Sequence, residues 1–267
     1  MIFVSDVHGA VAPLARLIKY GEPLVVLGDL VNLTDYRNGQ GAIADVLGIE
    51  FALKSAVARA AGDYQGMRDL WYHRAGEDVE DLRRQIGRAL DHQYEELTST
   101  LAGGFGYVIH GNVDRPGRLK ESLPGGFEYV HGEVVETDGL RVGLVGGGIS
   151  TPMGAEGEVS DEQMTRLLEG LGRVDVLGTH VPPAVSALRR DVITGREERG
   201  SGPIHEYILE YQPAYHFYGD VHQAQAAQWR IGATHCHNAG YFRATGRFLR
   251  LDGPSLETAR VGKPYDH

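Results

Sequence analysis

Seven residues able to hold hard or borderline metal ions fall in five short blocks. These are Asp6-Val7-His8, Gly28-Asp29, Gly111-Asn112-Val113-Asp114, Gly178-Thr179-His180 and Gly219-Asp220-Val221-His222. Asp6, His8, Asp29, Asn112, His180, Asp220 and His222 offer carboxylate, carboxamide and imidazole donors and no thiolate. That set suits Mn, Fe, Zn or Mg rather than iron–sulfur or soft-metal chemistry. Seven donors are too many for one tetrahedral ion and fit two ions that share a carboxylate. Two divalent ions about 3.5–4 Å apart can clamp a phosphate and acidify a bound water. An asparagine belongs in such a set, because its carbonyl can ligate while its NH2 donates to a phosphate oxygen.

The elements that must position these residues are legible around them. Each block follows an apolar run, at 1–4, 23–27, 107–110, 174–177 and 215–218. In open α/β sheets, ligands bind at the carboxyl edge of the strands, so residues distant in sequence converge there. Helical patterns lie at 10–20, at 160–170 behind a Ser160/Gln163 capping box, and at 203–211. Runs at 127–131, 133–137 and 140–145, separated by glycine, predict a meander, and further strands are expected at 224–231, 234–238 and 246–251. Between the second and third signature blocks, Val79, Leu82, Ile86, Leu90, Tyr94 and Leu97 recur at helical spacing. This predicts a helical hairpin inserted at about 38–103, serving as a packing flap, a substrate cap or a contact for a second copy of the chain. One domain over 1–267 with that insertion is expected.

In order and spacing, the five blocks resemble the signature of the calcineurin-like metallophosphoesterases, over residues 1 to about 251. The stretches Thr179-His180-Val181-Pro182-Pro183 and Asn238-Ala239-Gly240 resemble a bacterial and archaeal branch. The resemblance implies an α/β fold, a four-layer α/β/β/α sandwich. It implies that Asp6, His8 and His222 hold one divalent metal, that Asn112, His180 and position 220 hold a second, and that Asp29 bridges them. A metal-bridging hydroxide would attack phosphorus, with Asp29, Asn112 and His180 catalytic. Two positions depart from the family pattern. Val113 stands where many members carry a histidine that assists the leaving group, which favours diesters over monoesters. Asp220 replaces a histidine, lowers the site's positive charge by one, and favours Mn or Fe over Zn or Ni. The expected activity is a metal-dependent phosphodiesterase acting on a small phosphoester, a nucleotide among the candidates. The alternative is a weakly active or inactive phosphate- or nucleotide-binding module that keeps the fold and at least one metal.

Composition narrows the surroundings. The chain has 267 residues with 26 Lys and Arg against 36 Asp and Glu, a formal net charge of −10. That balance argues against a grip on an extended nucleic-acid duplex. Its single cysteine, Cys236, forms no internal disulfide. No apolar stretch has the length of a membrane span, and the first residues carry no leader pattern, so a cytoplasmic location is expected. His235 and His237 read as a polar sheet face and Arg115 as a surface ion pair. Asp114 reads as a residue that orients the ligand loop, and Trp71 and Tyr72 as core rather than a platform for a base.

Overall fold

A computed structural model describes residues 1–76, 78–190, 192 and 197–262. Part of the Arg- and Gly-rich segment at 189–202 therefore lies outside the described residues. In chain order, β1 (Ile2–Val4), α1 (Val11–Ile18) and β2 (Leu24–Leu27) lead into four helices: α2 (Ala42–Leu47), α3 (Ile49–Ala60), α4 (Tyr64–Ala75) and α5 (Val79–Leu101). Then come β3 (Gly106–Ile109), α6 (Pro116–Ser122), β4 (Phe127–Tyr129), β5 (Glu133–Thr137), β6 (Leu140–Val145), β7 (Gly148–Ile149) and β8 (Glu158–Val159). The remainder is α7 (Asp161–Leu171), β9 (Val176–Thr179), α8 (Ser186–Arg189), α9 (Gly202–Tyr211), β10 (Tyr215–Tyr218), β11 (Gln228–Ile231), β12 (Thr234–Asn238), α10 (Phe242–Thr245), β13 (Arg247–Asp252) and β14 (Ser255–Arg260).

Period-two alternation sorts each central strand between two interiors. Ile2, Val4, Leu24, Val26 and Val108 pack under α1 and α5. Their neighbours Phe3, Val25, Leu27 and Ile109 face Leu144, Val176 and Phe217 of the opposite sheet. A third interior, with Met164, Leu168, Ile204 and Ile208, lies beneath α7 and α9. Three cores separate four layers, α/β/β/α. One six-stranded sheet runs β14-β13-β1-β2-β3-β4 and the other β11-β12-β10-β9-β6-β5. Strands β1 to β4 are mutually parallel, as are β12, β10, β9 and β6. Buried on both faces, β1 and β2 read as continuous apolar runs. Phe3 and Phe217 meet between the sheets with ring centroids 4.5 Å apart; an aromatic pair of this kind is worth about 0.5–1.5 kcal/mol beyond its burial.

Three expectations are corrected. The three runs at 127–145 are not a meander: β4 pairs with β3 in one sheet, while β5 and β6 form a hairpin in the other. The chain crosses between sheets at Val130, whose N–H bonds to Val108, and Gly132, whose N–H bonds to Leu144. The insertion holds four helices where a hairpin has two, because Gly48, Gly62 and Gly76, all at positive φ, interrupt the periodic pattern. Trp71, partly buried, packs edge-on against Phe51 at 5.2 Å inside this insertion, whereas Tyr72, read as core beside it, is 72% exposed. The capping box of α7 is formed by Ser160 and Gln163. No helix among the described residues is long and apolar enough to cross a membrane.

Candidate metal centre

All seven candidate residues lie beyond the carboxyl ends of parallel strands: Asp6 and His8 after β1, Asp29 after β2, Asn112 after β3, His180 after β9, and Asp220 and His222 after β10. Four of them turn the chain through left-handed backbone, with φ of 57° at Asp6, 42° at His8, 54° at Asp29 and 63° at Asp220. Aspartate and histidine are among the few side chains enriched there, so the same residue types serve both turn and site. Such strain persists only where surroundings over-determine it. Here Asp114 does much of that work. Its carboxylate accepts from the backbone N–H of Asp29 and Gly111, both at 2.8 Å, of Leu30 at 3.0 Å and of Val31 at 3.3 Å. The expected orienting role of Asp114 matches this cup. Burial, reinforced by the Asp29 carboxylate, pushes its own carboxyl up to about 7.

Glycines let these loops close on one another. A Cβ on Gly148 would collide with the Cβ of Asn112, and one on Gly28 would meet Gly111 and the His180 ring. On the opposite loop, Asn238 donates to the Val221 carbonyl at 2.8 Å and accepts from Gly240 N at 2.7 Å, bracing the turn that carries Asp220 and His222.

Two groups of donors converge, Asp6 with His8 and His222, and Asp6 with Asp29 and His180; within each, the ligand atoms lie within 4.8 Å of one another. His8 Nε2 stands 3.8 Å from Asp6 Oδ1 and 3.6 Å from Asp29 Oδ2, and His222 Nε2 is 3.4 Å from Asp6 Oδ1. His180 Nε2 is 3.5 Å from Asp29 Oδ1 and 3.8 Å from Asp220 Oδ1. Asn112 brings one terminal amide atom to 3.2 Å from His180 Nε2. Asp220 thus reaches the cluster through His180, and its backbone N–H donates to Asp6 Oδ2 at 3.1 Å.

The donors fit a cation. His8 Nδ1 lies 3.1 Å from the Val31 carbonyl and His180 Nδ1 2.8 Å from the Leu27 carbonyl. A carbonyl only accepts, so both Nδ1 atoms carry a proton and both Nε2 atoms face the cluster, where each can ligate a metal that takes the place of a second proton. Asp6 Oδ1 is buried without a hydrogen bond, a costly state for a carboxylate unless a positive charge sits beside it. Burial raises the Asp6 carboxyl, but the rings of His222, His180 and His8 outweigh it and hold it near 2. For His180, burial works against charging, yet Asp29, Asp220 and Asp6 lift it to about 9. The acidic cluster therefore demands a cation at His180, as a proton or as a metal that displaces it. Burial pushes Asp220 up to about 6, with Asp29 and Asp6 adding to this against the pull of His180.

Several neighbours carried no sequence signal. Tyr241 lies flat on His222, with centroids 3.9 Å apart and planes at 2°, and the Arg37 guanidinium sits 5.0 Å from the Tyr241 centroid. Arg243 donates to the His8 carbonyl and lies 3.4 Å from Asp35. A polar cleft of about 330 Å³ opens beside His8, lined in part by Asn32, His92, Gln93 and Arg243. Arg59, from α3, reaches the Asn112 amide. Other polar residues near these blocks pair elsewhere: His110 bonds to the Tyr129 hydroxyl at 2.9 Å, Arg115 pairs with Glu156 at 3.8 Å, and His237 packs edge-on against Phe217.

No protein-family model and no curated protein matches the chain. Solved structures do match in fold. One superposes with a TM-score of 0.65 at 15% identity and covers 98% of both chains. The protein TT1561 of Thermus thermophilus superposes at 0.52 with 13% identity, again over 98% of each chain. Against an archaeal phosphodiesterase, 12% identical over 97% of each chain, the TM-score falls to 0.38, so the fold assignment rests on the first two. Two six-stranded sheets between helical layers, with Asp and His side chains gathered at their shared carboxyl edge, agree with it. The chain has the calcineurin-like metallophosphoesterase fold.

Proposed function

We propose that the chain is a metal-dependent hydrolase of phosphoric esters, acting as a phosphodiesterase on small substrates. The carrying observation is the pair of buried donor groups that share Asp6 and are joined through Asp29. Asp6, His8 and His222 would hold one divalent ion and Asn112, His180 and Asp220 a second, with Asp29 between them. When bound, such ions supply a Lewis-acid clamp on phosphoryl oxygens and lower the pKa of water. The chain's own residues do the rest. His8 and His180 hold their Nε2 lone pairs in place through the Val31 and Leu27 carbonyls. Asp114 fixes the turn that aims Asp29, and Tyr241 holds the plane of His222 by stacking on it. Val113 gives Asp29 Oδ1 a backbone N–H at 3.1 Å, while its side chain packs into the core with α1 and α5. Position 113 thus offers a leaving group no proton, which favours diesters and good leaving groups. Three carboxylates favour the harder ions, Mn or Fe.

The test is hydrolysis of bis-p-nitrophenyl phosphate by Mn²⁺-loaded protein, beside a chelated control and Asp29→Asn, with metal content measured by elemental analysis. Turnover that needs two ions per chain and is lost with chelator and with Asp29→Asn is expected. Folded protein that binds no metal, or turnover indifferent to chelator, refutes the proposal. Asp220 favours a second reading, a phosphate-binding module with weak activity. A large gain in turnover on Asp220→His would select it.

A further inference from the structure

Arg59 is a cation beside the metal centre that the seven donors leave unused. It comes from α3, in the middle of the inserted helices, and places Nη2 3.0 Å from one terminal atom of the Asn112 amide. The other terminal atom of that amide lies 3.2 Å from both His180 Nε2 and Asp29 Oδ2. No salt bridge of the described residues engages Arg59; Tyr36 is its strongest electrostatic neighbour, and the charges of Asp29, Asp220 and Glu158 act on it as well. Glu158 is spent on the Thr151 N–H and hydroxyl, at 2.7 and 2.5 Å.

The two ways round for the amide have opposite consequences. With its oxygen toward Arg59, the amide accepts from the guanidinium and donates to Asp29 and to a neutral His180. With its oxygen toward His180 and Asp29, it joins a ring of acceptors that only a cation reconciles. Its NH2 then faces the guanidinium, two half-buried donors 3.0 Å apart. Donors set side by side in this way suit a charged oxygen.

We propose that Arg59 is an oxyanion clamp for the substrate phosphoryl group, acting together with the Asn112 amide. A cation at His180, whether proton or metal, selects the orientation with the amide oxygen inward. The NH2 of Asn112 and the guanidinium of Arg59 then share one non-bridging phosphoryl oxygen. Arg59 also returns the positive charge that Asp220 removes from the site, so a singly or doubly charged phosphoryl group is held where the seven donors alone hold it weakly. The insertion is thereby part of the active site, and its α3 bounds the mouth on the Asn112 side. Small phosphoesters and chain ends fit that arrangement, and internal linkages of a duplex do not. This inference rests on the two-metal hydrolase reading.

The experiment uses the full chain loaded with Mn²⁺, as parent, Arg59→Met and Arg59→Lys. Binding of inorganic phosphate is measured by titration calorimetry with and without chelator, alongside metal content and the KM and kcat for bis-p-nitrophenyl phosphate. Arg59→Met is expected to retain both ions, to weaken phosphate binding at least tenfold and to raise KM. Arg59→Lys is expected to recover part of the loss, because a point charge replaces a fork. The chelated parent is expected to bind phosphate at least tenfold more weakly than the loaded parent. Unchanged phosphate affinity in Arg59→Met overturns the clamp, as does loss of an ion from that variant, which would make Arg59 a support for Asn112. Equal affinity with and without metal overturns a phosphate site shared between Arg59 and the ions. A parent that binds no metal overturns the hydrolase reading together with this one. Should Arg59→Met fail to fold, Arg59→Lys alone decides: a phosphate affinity equal to the parent's overturns the fork geometry.

Discussion

Substituting Gly28 by alanine separates backbone strain from close approach at the strand end that carries Asp29. Gly28 has φ of 91°, and an added Cβ would stand 2.6 Å from Gly111 N, 2.8 Å from Gly111 Cα and 2.8 Å from His180 Nδ1. Left-handed backbone costs an alanine about 1–2 kcal/mol. Forcing a methyl group against fixed atoms adds about 1–3 kcal/mol. The obstacles are backbone of β3's following loop and a ring anchored to Leu27, so little of the clash can relax. Gly21 is the matched control: its φ is 68° and nothing lies within 4 Å of the added Cβ. Gly21→Ala is expected to show only the backbone cost, and Gly28→Ala to be less stable than Gly21→Ala by about 1–3 kcal/mol. Urea unfolding of the metal-free proteins reads the difference. Gly28→Ala should also retain less metal, because the His180 Nδ1 bond to the Leu27 carbonyl is displaced. Equal midpoints for the two variants would refute the steric reasoning.

Two further outcomes follow from buried groups remote from the cluster. Burial, with His237 adding to it, pushes His216 down to about 3, against about 6.5 in the unfolded chain. The unfolded chain therefore takes up the extra proton as pH falls below 6.5, so this contribution is present above 6.5 and lost towards 3. The parent should lose about 2 kcal/mol more than His216→Gln between pH 7 and pH 5; identical pH profiles in urea unfolding would refute it. Burial also pushes the Cys236 thiol up to about 12. Iodoacetamide at pH 8 should leave the native protein unlabelled and label one site per chain in guanidinium, and rapid native labelling would contradict the burial.

The parts legible in sequence were those set by short-range patterning. Central strands buried on both faces appear as apolar runs, and the polar residue that ends each run marks the carboxyl edge. β5, β6, β10 and β12 lie where alternation and glycine spacing place them, and Ser160 announces α7. Contacts made across the fold left no such mark. Arg59 meets Asn112 although 53 positions separate them, and a lone arginine on an amphipathic helix looks like any solvated residue. Tyr241 stacks on His222 where the start of α10 is tied to the end of β1, with Phe242 N–H on the Ser5 carbonyl and Arg243 N–H on the Asp6 carbonyl. β14 lacks an apolar run because it is an edge strand with mostly exposed side chains. The switch of β4 and β5 between sheets depends on which strand is free to pair, which glycine-bounded runs do not encode.

The left-handed turns at Asp6, His8, Asp29 and Asp220 limit how the centre can be redesigned. At those four positions a replacement must satisfy the backbone before it touches a metal, which favours aspartate, asparagine, histidine and glycine. Cysteine and glutamate would pay a backbone cost of about 1–2 kcal/mol there, and β-branched residues more. Asn112, His180 and His222 carry no such constraint, since none has a positive φ. Variation in metal preference among chains built this way should therefore concentrate at those three positions. A library that randomises them and holds the four turn residues fixed would spend its diversity where the backbone can absorb it.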